Sequence, residues 1–221
     1  MFIELIDLLR CPHPHEGSWL VLAADEVIDR HVVRGTLGCP ICGAEFPIAG
    51  GEADLRAERR PGSRAVPKVD PLAPDDSDAA TMRLAALLGL GDGEGRVALT
   101  GAHAPLAAEL ERLASVAVLA VNGPPDRPWH VSAIRCDGAL PLAPASLRGL
   151  AIGARSDPID LAASLPALRP RARVVAPADH PRPADLHELA RDDREWVAEL
   201  RETVSGFVPL TVRRSPDDDR R

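Results

Sequence analysis

Arg96-Val97-Ala98-Leu99-Thr100-Gly101 is the stretch of sequence that decides the fold class. It opens with a short and mostly aliphatic run at residues 96–100, which is typical of a strand buried on both faces of a parallel sheet. Residues 105–113 follow and are compatible with a helix, with proline at the first position, where its missing N–H costs nothing. Further aliphatic runs come at residues 116–121, 131–135, 150–153 and 173–176. The alternation predicts an α/β fold with a parallel sheet and right-handed βαβ crossovers.

Further helices are predicted before, between and after these strands in the sequence. Residues 79–90 have helical periodicity, and residues 158–168 are helix-compatible and begin with proline. Residues 185–203 predict a longer helix, in which the helical spacing of the apolar residues places Trp196 in the core. A last strand is predicted at residues 207–212.

Composition divides the chain into four parts. Residues 1–55 contain three of the four cysteines, and residues 56–78 predict a linker because their prolines remove backbone donors and block regular structure. Residues 79–213 carry the alternating pattern of strands and helices. Residues 214–221 are expected to form a disordered tail.

The overall composition bounds the functional classes. The chain has 221 residues, enough for one or two domains, and 45% of them are hydrophobic, which permits a buried core. The net charge of -7 and an aromatic content of 3% count against a nucleic-acid-binding surface, and we do not expect nucleic acid to be the partner. Nucleic-acid recognition stays a third hypothesis because four arginines form a local basic patch: Arg56, Arg59, Arg60 and Arg64.

The sequence predicts neither secretion nor a membrane span. The beginning of the chain contains Glu4 and Asp7 and lacks the basic start of a secretory signal. No apolar run approaches the roughly 18 residues that a spanning helix needs. We therefore expect a cytoplasmic protein.

A paired-cysteine motif predicts a metal site. Cys39-Pro40-Ile41-Cys42-Gly43 places two thiolates three positions apart, with glycine allowing a tight turn. An incomplete second motif, Cys11-Pro12-His13-Pro14-His15, offers a third thiolate and two imidazoles, whereas His31 is a weaker candidate because it lies in a strand-like run. The alternative is that the site has lost its metal and the thiols are simply buried. The predicted ligands of a structural zinc ion are Cys11, His15, Cys39 and Cys42, with His13 as the alternative to His15.

Three stretches within residues 5–55 carry a resemblance to a known family. They are Leu5-Ile6-Asp7-Leu8-Leu9-Arg10-Cys11-Pro12, Gly38-Cys39-Pro40-Ile41-Cys42, and Glu45-Phe46-Pro47-Ile48 followed by Gly50-Gly51. They resemble the small zinc-ribbon activator subunits of tRNA and protein methyltransferases, which carry CPxC in both knuckles, whereas this chain has Pro14 at one cysteine position. The resemblance implies a zinc ribbon that pairs with a methyltransferase domain through apolar surface and strand addition. That domain is either in the same chain or in another protein.

Residues 79–213 resemble the class I S-adenosylmethionine-dependent methyltransferases in the order of their elements and in the stretch Asp137-Gly138-Ala139-Leu140-Pro141-Leu142. The resemblance implies a Rossmann-like parallel sheet. In that family the first strand ends in an acidic residue and a GxGxG loop, and a second acidic residue binds the cofactor's ribose. Here Leu99 and Asn122 stand at the two acidic positions, and His103 and Pro105 replace two glycines. The positions that the resemblance leaves for the cofactor are Gly101, Asn122 and Asp137.

These departures favour a protein without catalytic residues. We expect an accessory or scaffold protein, built from a zinc ribbon and a degenerate methyltransferase-like domain, that binds another protein subunit and does not bind S-adenosylmethionine. The alternative is an active methyltransferase with an atypical cofactor loop, which would bind the cofactor measurably. Asp137 is then a cofactor contact rather than a turn residue. His103 is an alternative acid–base residue at the strand ends, and Cys136 is interpreted as a buried small hydrophobic residue.

Overall fold

The computed structural model describes residues 1–16, 19–56, 77–91, 94–154 and 156–201. The described residues contain an 11-stranded sheet. Its strands are β1 (Val21–Ile28), β2 (His31–Gly38), β3 (Glu45–Ala49), β4 (Glu52–Asp54), β5 (Arg96–Thr100), β6 (Ala117–Val121), β7 (Ser132–Arg135), β8 (Leu147–Ala151), β9 (Leu168–Pro177), β10 (Leu186–Arg191) and β11 (Glu195–Leu200). The helices are α1 (Ser77–Leu88), α2 (Ala107–Leu113) and α3 (Leu161–Ser164), with 3-10 turns at Ile3–Leu8, Gly101–Leu106 and Leu165–Ala167.

The sheet is mixed, with a parallel centre and antiparallel wings. Its strand order is β1-β2-β3-β4-β7-β6-β5-β8-β9-β11-β10. The strands from β4 to β9 in this order are mutually parallel. The strands β1 to β4 form an antiparallel meander on one side, and β9, β11 and β10 are antiparallel on the other. The protein is therefore a mixed α/β fold with a large sheet.

The strand β4 joins the amino-terminal region to the parallel sheet of the same chain. Glu52 lies in register with Ala133, and Asp54 lies in register with Arg135. The carboxylate of Glu52 accepts a hydrogen bond from Arg127 at 2.9 Å and a second one from Arg135. The side chains of Arg127, Arg135 and Glu52 are only 9%, 12% and 15% exposed, so this ion cluster is nearly buried. The amino-terminal region thus places β4 parallel to β7 of the same chain, in one continuous sheet.

The 3-10 turn at Ile3–Leu8 makes a second connection between the two parts. Leu9 forms a bridge with Leu142, and the backbone N–H of Ala143 donates to the carbonyl of Leu8 at 2.7 Å. Leu5 and Leu9 are fully buried in the same apolar cluster as strand residues of β6 and β7. The two parts therefore share one core. Burial of a leucine side chain stabilises the folded state by about 1.5–3 kcal/mol, so these contacts also hold the two parts together.

Two apolar layers cover the two faces of the sheet. Val97 and Leu99 face one layer, which includes Leu84 from α1 and Leu110 from α2. Ala98 faces the other layer, together with the amino-terminal residues. Successive side chains of a strand point to opposite faces, which explains why the aliphatic run of β5 is buried throughout. The helices α1 and α2 therefore cover one face, and the amino-terminal region covers part of the other.

The helix predicted at residues 185–203 is wrong over its described part. β10 and β11 form an antiparallel hairpin there, turned by Asp192, whose Oδ1 accepts from the N–H groups of Arg194 and Glu195. Trp196 and Ala198 face one core layer while Val197 faces the other. An i, i+4 spacing places residues on one side of a strand as well as of a helix, so the spacing did not distinguish them. The core position of Trp196 is confirmed, because its side chain is fully buried.

Other boundaries differ from the predictions by a few residues. β5 has the predicted bounds, whereas β8 begins at Leu147 and α1 spans Ser77–Leu88. The predicted strand at residues 207–212, the tail and nearly all of the linker lie outside the described residues, as do three of the four patch arginines, Arg59, Arg60 and Arg64. Among the described helices, none combines the length and the apolar character needed to cross a membrane.

Candidate functional site

Four side chains from the two cysteine motifs come together at one end of the amino-terminal meander. The ligand atoms of Cys11, His15, Cys39 and Cys42 all lie within 4.8 Å of one another. Cys11 Sγ is 3.7 Å from Cys42 Sγ, and Cys39 Sγ is 3.4 Å from His15 Nε2. Around a tetrahedral zinc ion, two sulfur ligands are about 3.8 Å apart and a sulfur and a nitrogen about 3.6 Å apart. The cluster can therefore hold a small tetrahedral metal ion.

The turn from Cys39 to Ala44 presents two of these thiols. The N–H of Gly43 donates to the carbonyl of Cys39 at 2.9 Å, and the N–H of Cys39 donates to the carbonyl of Ala44 at 2.8 Å. Gly43 has φ +71°, a conformation that glycine adopts without strain. The sequence Cys-Pro-Ile-Cys-Gly thus folds into a tight knuckle with both sulfur atoms on its inner side, facing Cys11 and His15.

The two histidines of the first motif have different surroundings. His15 Nδ1 lies 3.0 Å from the carbonyl of Glu16, and since a carbonyl can only accept, this contact places the proton on Nδ1 and leaves Nε2 free to bind metal. His13 is outside the four-residue cluster: its Nδ1 is 3.5 Å from Cys42 Sγ and its ring packs edge-on against Phe46. His31 contacts the carbonyl of Asp29 instead.

The electrostatics of the cluster favour a bound cation. Burial, assisted by the neighbouring thiols of Cys39 and Cys42, raises the pKa of Cys11 to about 12. Three thiolates this close repel one another, and a divalent cation removes that cost by binding the deprotonated form. The contact with the Glu16 carbonyl is the largest cause of a raised pKa at His15.

The three positions aligned with cofactor contacts follow the carboxyl ends of the parallel strands. Gly101 follows β5, Asn122 follows β6, and Asp137 comes two residues after β7. Ligands of α/β folds bind at this edge of the sheet, near the point where the strand order reverses. Gly101 and Asn122 are buried, whereas Asp137 is exposed. Both Gly101 and Asn122 have positive φ, at +49° and +54°.

The side chain of Asn122 is committed to the backbone of Cys136. Its Nδ2 donates to the Cys136 carbonyl at 2.9 Å, and its Oδ1 accepts from the Cys136 N–H at 3.1 Å. With only 5% of its surface exposed, Asn122 has to break these bonds before it can bind a ligand. Cys136 itself is buried, and burial raises the pKa of its thiol, so it is not a reactive nucleophile.

An aspartate that the sequence analysis did not single out occupies the space beside Gly101. Thr100 Oγ1 donates to the carboxylate of Asp157, and the Ile159 N–H donates to Asp157 Oδ1 at 3.2 Å. A β-carbon at position 101 would lie 3.0 Å from Asp157 Oδ2. Burial raises the pKa of this carboxyl. Its only sequence signal is an acid after the predicted fourth strand, but a following proline makes Asp157 look like a turn residue.

The segment that follows Asp157 closes the same edge. The carbonyl of Pro158 accepts from the Gly138 N–H at 2.9 Å, and the Asp160 N–H donates to the Gly138 carbonyl at 2.8 Å. Because β6 lies between β5 and β7 in the sheet, residues 157–160 cross its carboxyl end. The chain's own polar groups therefore occupy the crevice in which such folds bind ligands.

Comparisons with known proteins add no family to this description. No protein-family model matches the chain, and no curated protein matches it at a significant level. The cluster of Cys11, His15, Cys39 and Cys42 and the occupied edge of the sheet therefore carry the functional argument.

Proposed function

We propose that this chain is a non-catalytic accessory or scaffold protein, in which a zinc ribbon is joined to a methyltransferase-like domain and which acts by binding another protein. The observation that carries the proposal is the pair of hydrogen bonds between Asn122 and the Cys136 backbone. The residue aligned with the ribose-binding acid is engaged by the backbone of its own chain, which supports the loss of methyl-donor binding at this edge.

The strand order supports a methyltransferase-like domain. Numbered from β5, the strands β7-β6-β5-β8-β9 follow the order 3-2-1-4-5 of doubly wound nucleotide-binding sheets. Beyond this parallel core, the antiparallel strand β11 lies between β9 and β10. Fold likeness alone carries no activity, which has to be argued from the site.

The loop after β5 supports the loss of cofactor binding. Leu99, at the position of the family's acidic residue, is fully buried among apolar side chains. His103 and Pro105 lie within a 3-10 turn, whereas the family has an open glycine loop there. A glycine loop lets its backbone approach the cofactor closely, and this 3-10 turn lacks two of those glycines.

Zinc is the metal that the donor set fits best. Three thiolates and one imidazole suit a borderline-soft ion, whereas magnesium and calcium prefer oxygen ligands. Four protein ligands leave no open position for water or substrate, so the metal would have a structural role. When bound, it would tie the segment of Cys11 and His15 to the knuckle of Cys39 and Cys42.

Exposed apolar side chains beside the Cys and His cluster suggest where a partner binds. Trp19, Val21 and Ile41 are 63%, 61% and 61% exposed, and groups of exposed apolar side chains often mark interaction sites. Ile41 is part of the knuckle, and Val21 lies in register with Gly38 just before it. The guanidinium of Arg10 lies 5.1 Å from the centre of the Trp19 ring. This surface, with a cation at its rim, suits a partner segment that combines apolar and acidic side chains.

The partner surface is tested by purification of the tagged full chain from its native cells. We expect one protein to co-purify in stoichiometric amount with the wild type and to be lost with the double variant Trp19→Ser and Ile41→Ser. The matched control is Met82→Ser, which removes an equally exposed apolar side chain from α1. The proposal would be contradicted if Met82→Ser lost the co-purifying protein as well, or if the wild-type chain purified alone.

A further inference from the structure

A cavity of about 500 Å³ opens on the face of the sheet that carries α1 and α2. Its apolar wall includes Ala80, Leu84 and Leu87 from α1, and Leu106 from the turn after β5. None of the cofactor-aligned positions, Gly101, Asn122 and Asp137, is among its lining residues. The volume is within the range of small-molecule sites, and such sites combine an apolar wall with a few polar groups.

Two arginines line the cavity, and Arg83 is the one that pairs with carboxylates. Arg83 Nε donates to Glu195 at 2.6 Å, and Arg83 also donates to Asp192 at 2.8 Å. Asp192 accepts two further hydrogen bonds, from backbone N–H groups of the hairpin turn, and these contacts lower its pKa to about 2. The side chain of Arg194, which lines the cavity, has no hydrogen-bond or ion-pair partner within the described residues. The uncommitted charge of the lining is therefore positive.

His103 supplies a neutral polar group to the same cavity. Its Nδ1 is buried and has no hydrogen-bond partner in the part of the chain that the structure describes. Burial lowers the pKa of the imidazole, which is therefore uncharged near neutral pH. A buried polar atom without a partner is costly, and such atoms are rare in folded proteins.

We propose that this cavity binds a small amphipathic carboxylate. Its aliphatic part lies against Leu84, Leu87 and Leu106, and its carboxylate is recognised by Arg194 and by the imidazole of His103. An anion satisfies the one uncommitted cation, whereas an amine of the same length would meet it with like charge. This inference is independent of the zinc ion, of the cofactor and of the protein partner.

Calorimetric titration of the full-length protein with octanoate and, separately, with octylammonium tests the proposal. We expect saturable binding of octanoate and at least tenfold weaker binding of octylammonium. Arg194→Gln is expected to weaken octanoate binding about fivefold, as an exposed charge contact does, and Ala80→Phe to abolish it by filling the cavity. The control Arg169→Gln changes an exposed arginine of β9 away from the cavity and is expected to bind as the wild type does.

Thermal unfolding of each variant checks that it folds. If Ala80→Phe does not fold, the octanoate affinities of Arg194→Gln and Arg169→Gln still test whether Arg194 binds the carboxylate. Absence of saturable octanoate binding, equal binding of octylammonium, or unchanged affinity in Arg194→Gln would each overturn the proposal.

Discussion

Asn122 and Cys136 are joined by two hydrogen bonds that extend the pairing of β6 and β7 beyond the ends of both strands. The backbone N–H of Asn122 still donates to Ile134 at 3.0 Å, as in a parallel ladder. From there the side-chain amide replaces the main chain, donating through Nδ2 and accepting through Oδ1. Asparagine is suited to this position because it tolerates the positive φ and offers both a donor and an acceptor.

Asn122→Asp is expected to destabilise the protein without creating a cofactor site. A carboxylate at this buried position cannot donate to the Cys136 carbonyl, and an unpaired buried polar group costs about 1–3 kcal/mol. Urea unfolding measures the loss, with the exposed Asp137→Asn as a control that should stay within about 0.5 kcal/mol of the wild type. An Asn122→Asp protein of unchanged stability that binds S-adenosylmethionine would contradict this account of the edge.

Removal of a zinc ligand is expected to abolish metal binding. Cys39→Ser should lower the zinc content from about one ion per chain to none, whereas Cys136→Ser should retain it. His15→Ala should also lose the metal, and His13→Ala should keep it with an affinity reduced about 10–100-fold, as for a group that contacts a ligand. Elemental analysis and competition with a chelator measure both quantities. If His13→Ala lost the metal and His15→Ala retained it, the fourth ligand would be His13 and not His15.

Glu52→Gln is expected to weaken the junction between the two parts of the chain. It leaves Arg127 and Arg135 nearly buried without a counter-charge, and breaking a buried ion pair on one side costs about 3–5 kcal/mol. Glu109→Gln removes the partly buried partner of the exposed Arg112 and should cost no more than about 1 kcal/mol. Denaturant unfolding compares the two variants, and equal losses would mean that the Glu52 cluster does not hold β4 to β7.

The stability of the protein is expected to depend on pH through Asp157. Burial raises the pKa of this carboxyl in the folded protein above its ordinary value of 3.8, so the folded state binds the proton more tightly than the unfolded chain. The resulting stabilisation is fully present below the unfolded pKa and is lost as the pH rises through the folded pKa. Asp157→Asn removes this dependence and can still accept from Ile159 and donate to Thr100.

The free energy of unfolding of both proteins, measured between about pH 3 and pH 7, tests this prediction. The free energy of unfolding of Asp157→Asn minus that of the wild type should increase as the pH rises across that window. A difference that stays constant with pH would show that the carboxyl is not perturbed by burial.

Strands buried on both faces were predictable because their aliphatic runs have no competing pattern. β5 has the predicted bounds for this reason, since Val97, Ala98 and Leu99 are all fully buried. The β10–β11 hairpin was not predictable from spacing, because Trp196 and Leu200 fit helical and strand periods equally. The adjacent residues Asp192 and Asp193 favour a turn and so counted against a helix, but the apolar spacing was given more weight.

Contacts between distant segments were beyond the reach of local patterns. The pairing of Glu52 with Ala133 joins strands of three and four residues, which are too short to show a period. The sequence therefore left open whether the amino-terminal region binds its own chain. The two cysteine motifs indicated a metal site. The choice between His13 and His15 required the geometry, since only His15 lies in the four-residue cluster.

Calorimetric titration of the full chain with S-adenosylmethionine, on protein of assayed zinc content, tests the central claim most directly. We expect no saturable binding up to millimolar cofactor, because Asn122 and Asp157 are engaged within the chain at the edge where the cofactor would bind. Saturable binding in the micromolar range would contradict the account and make this chain an active methyltransferase candidate.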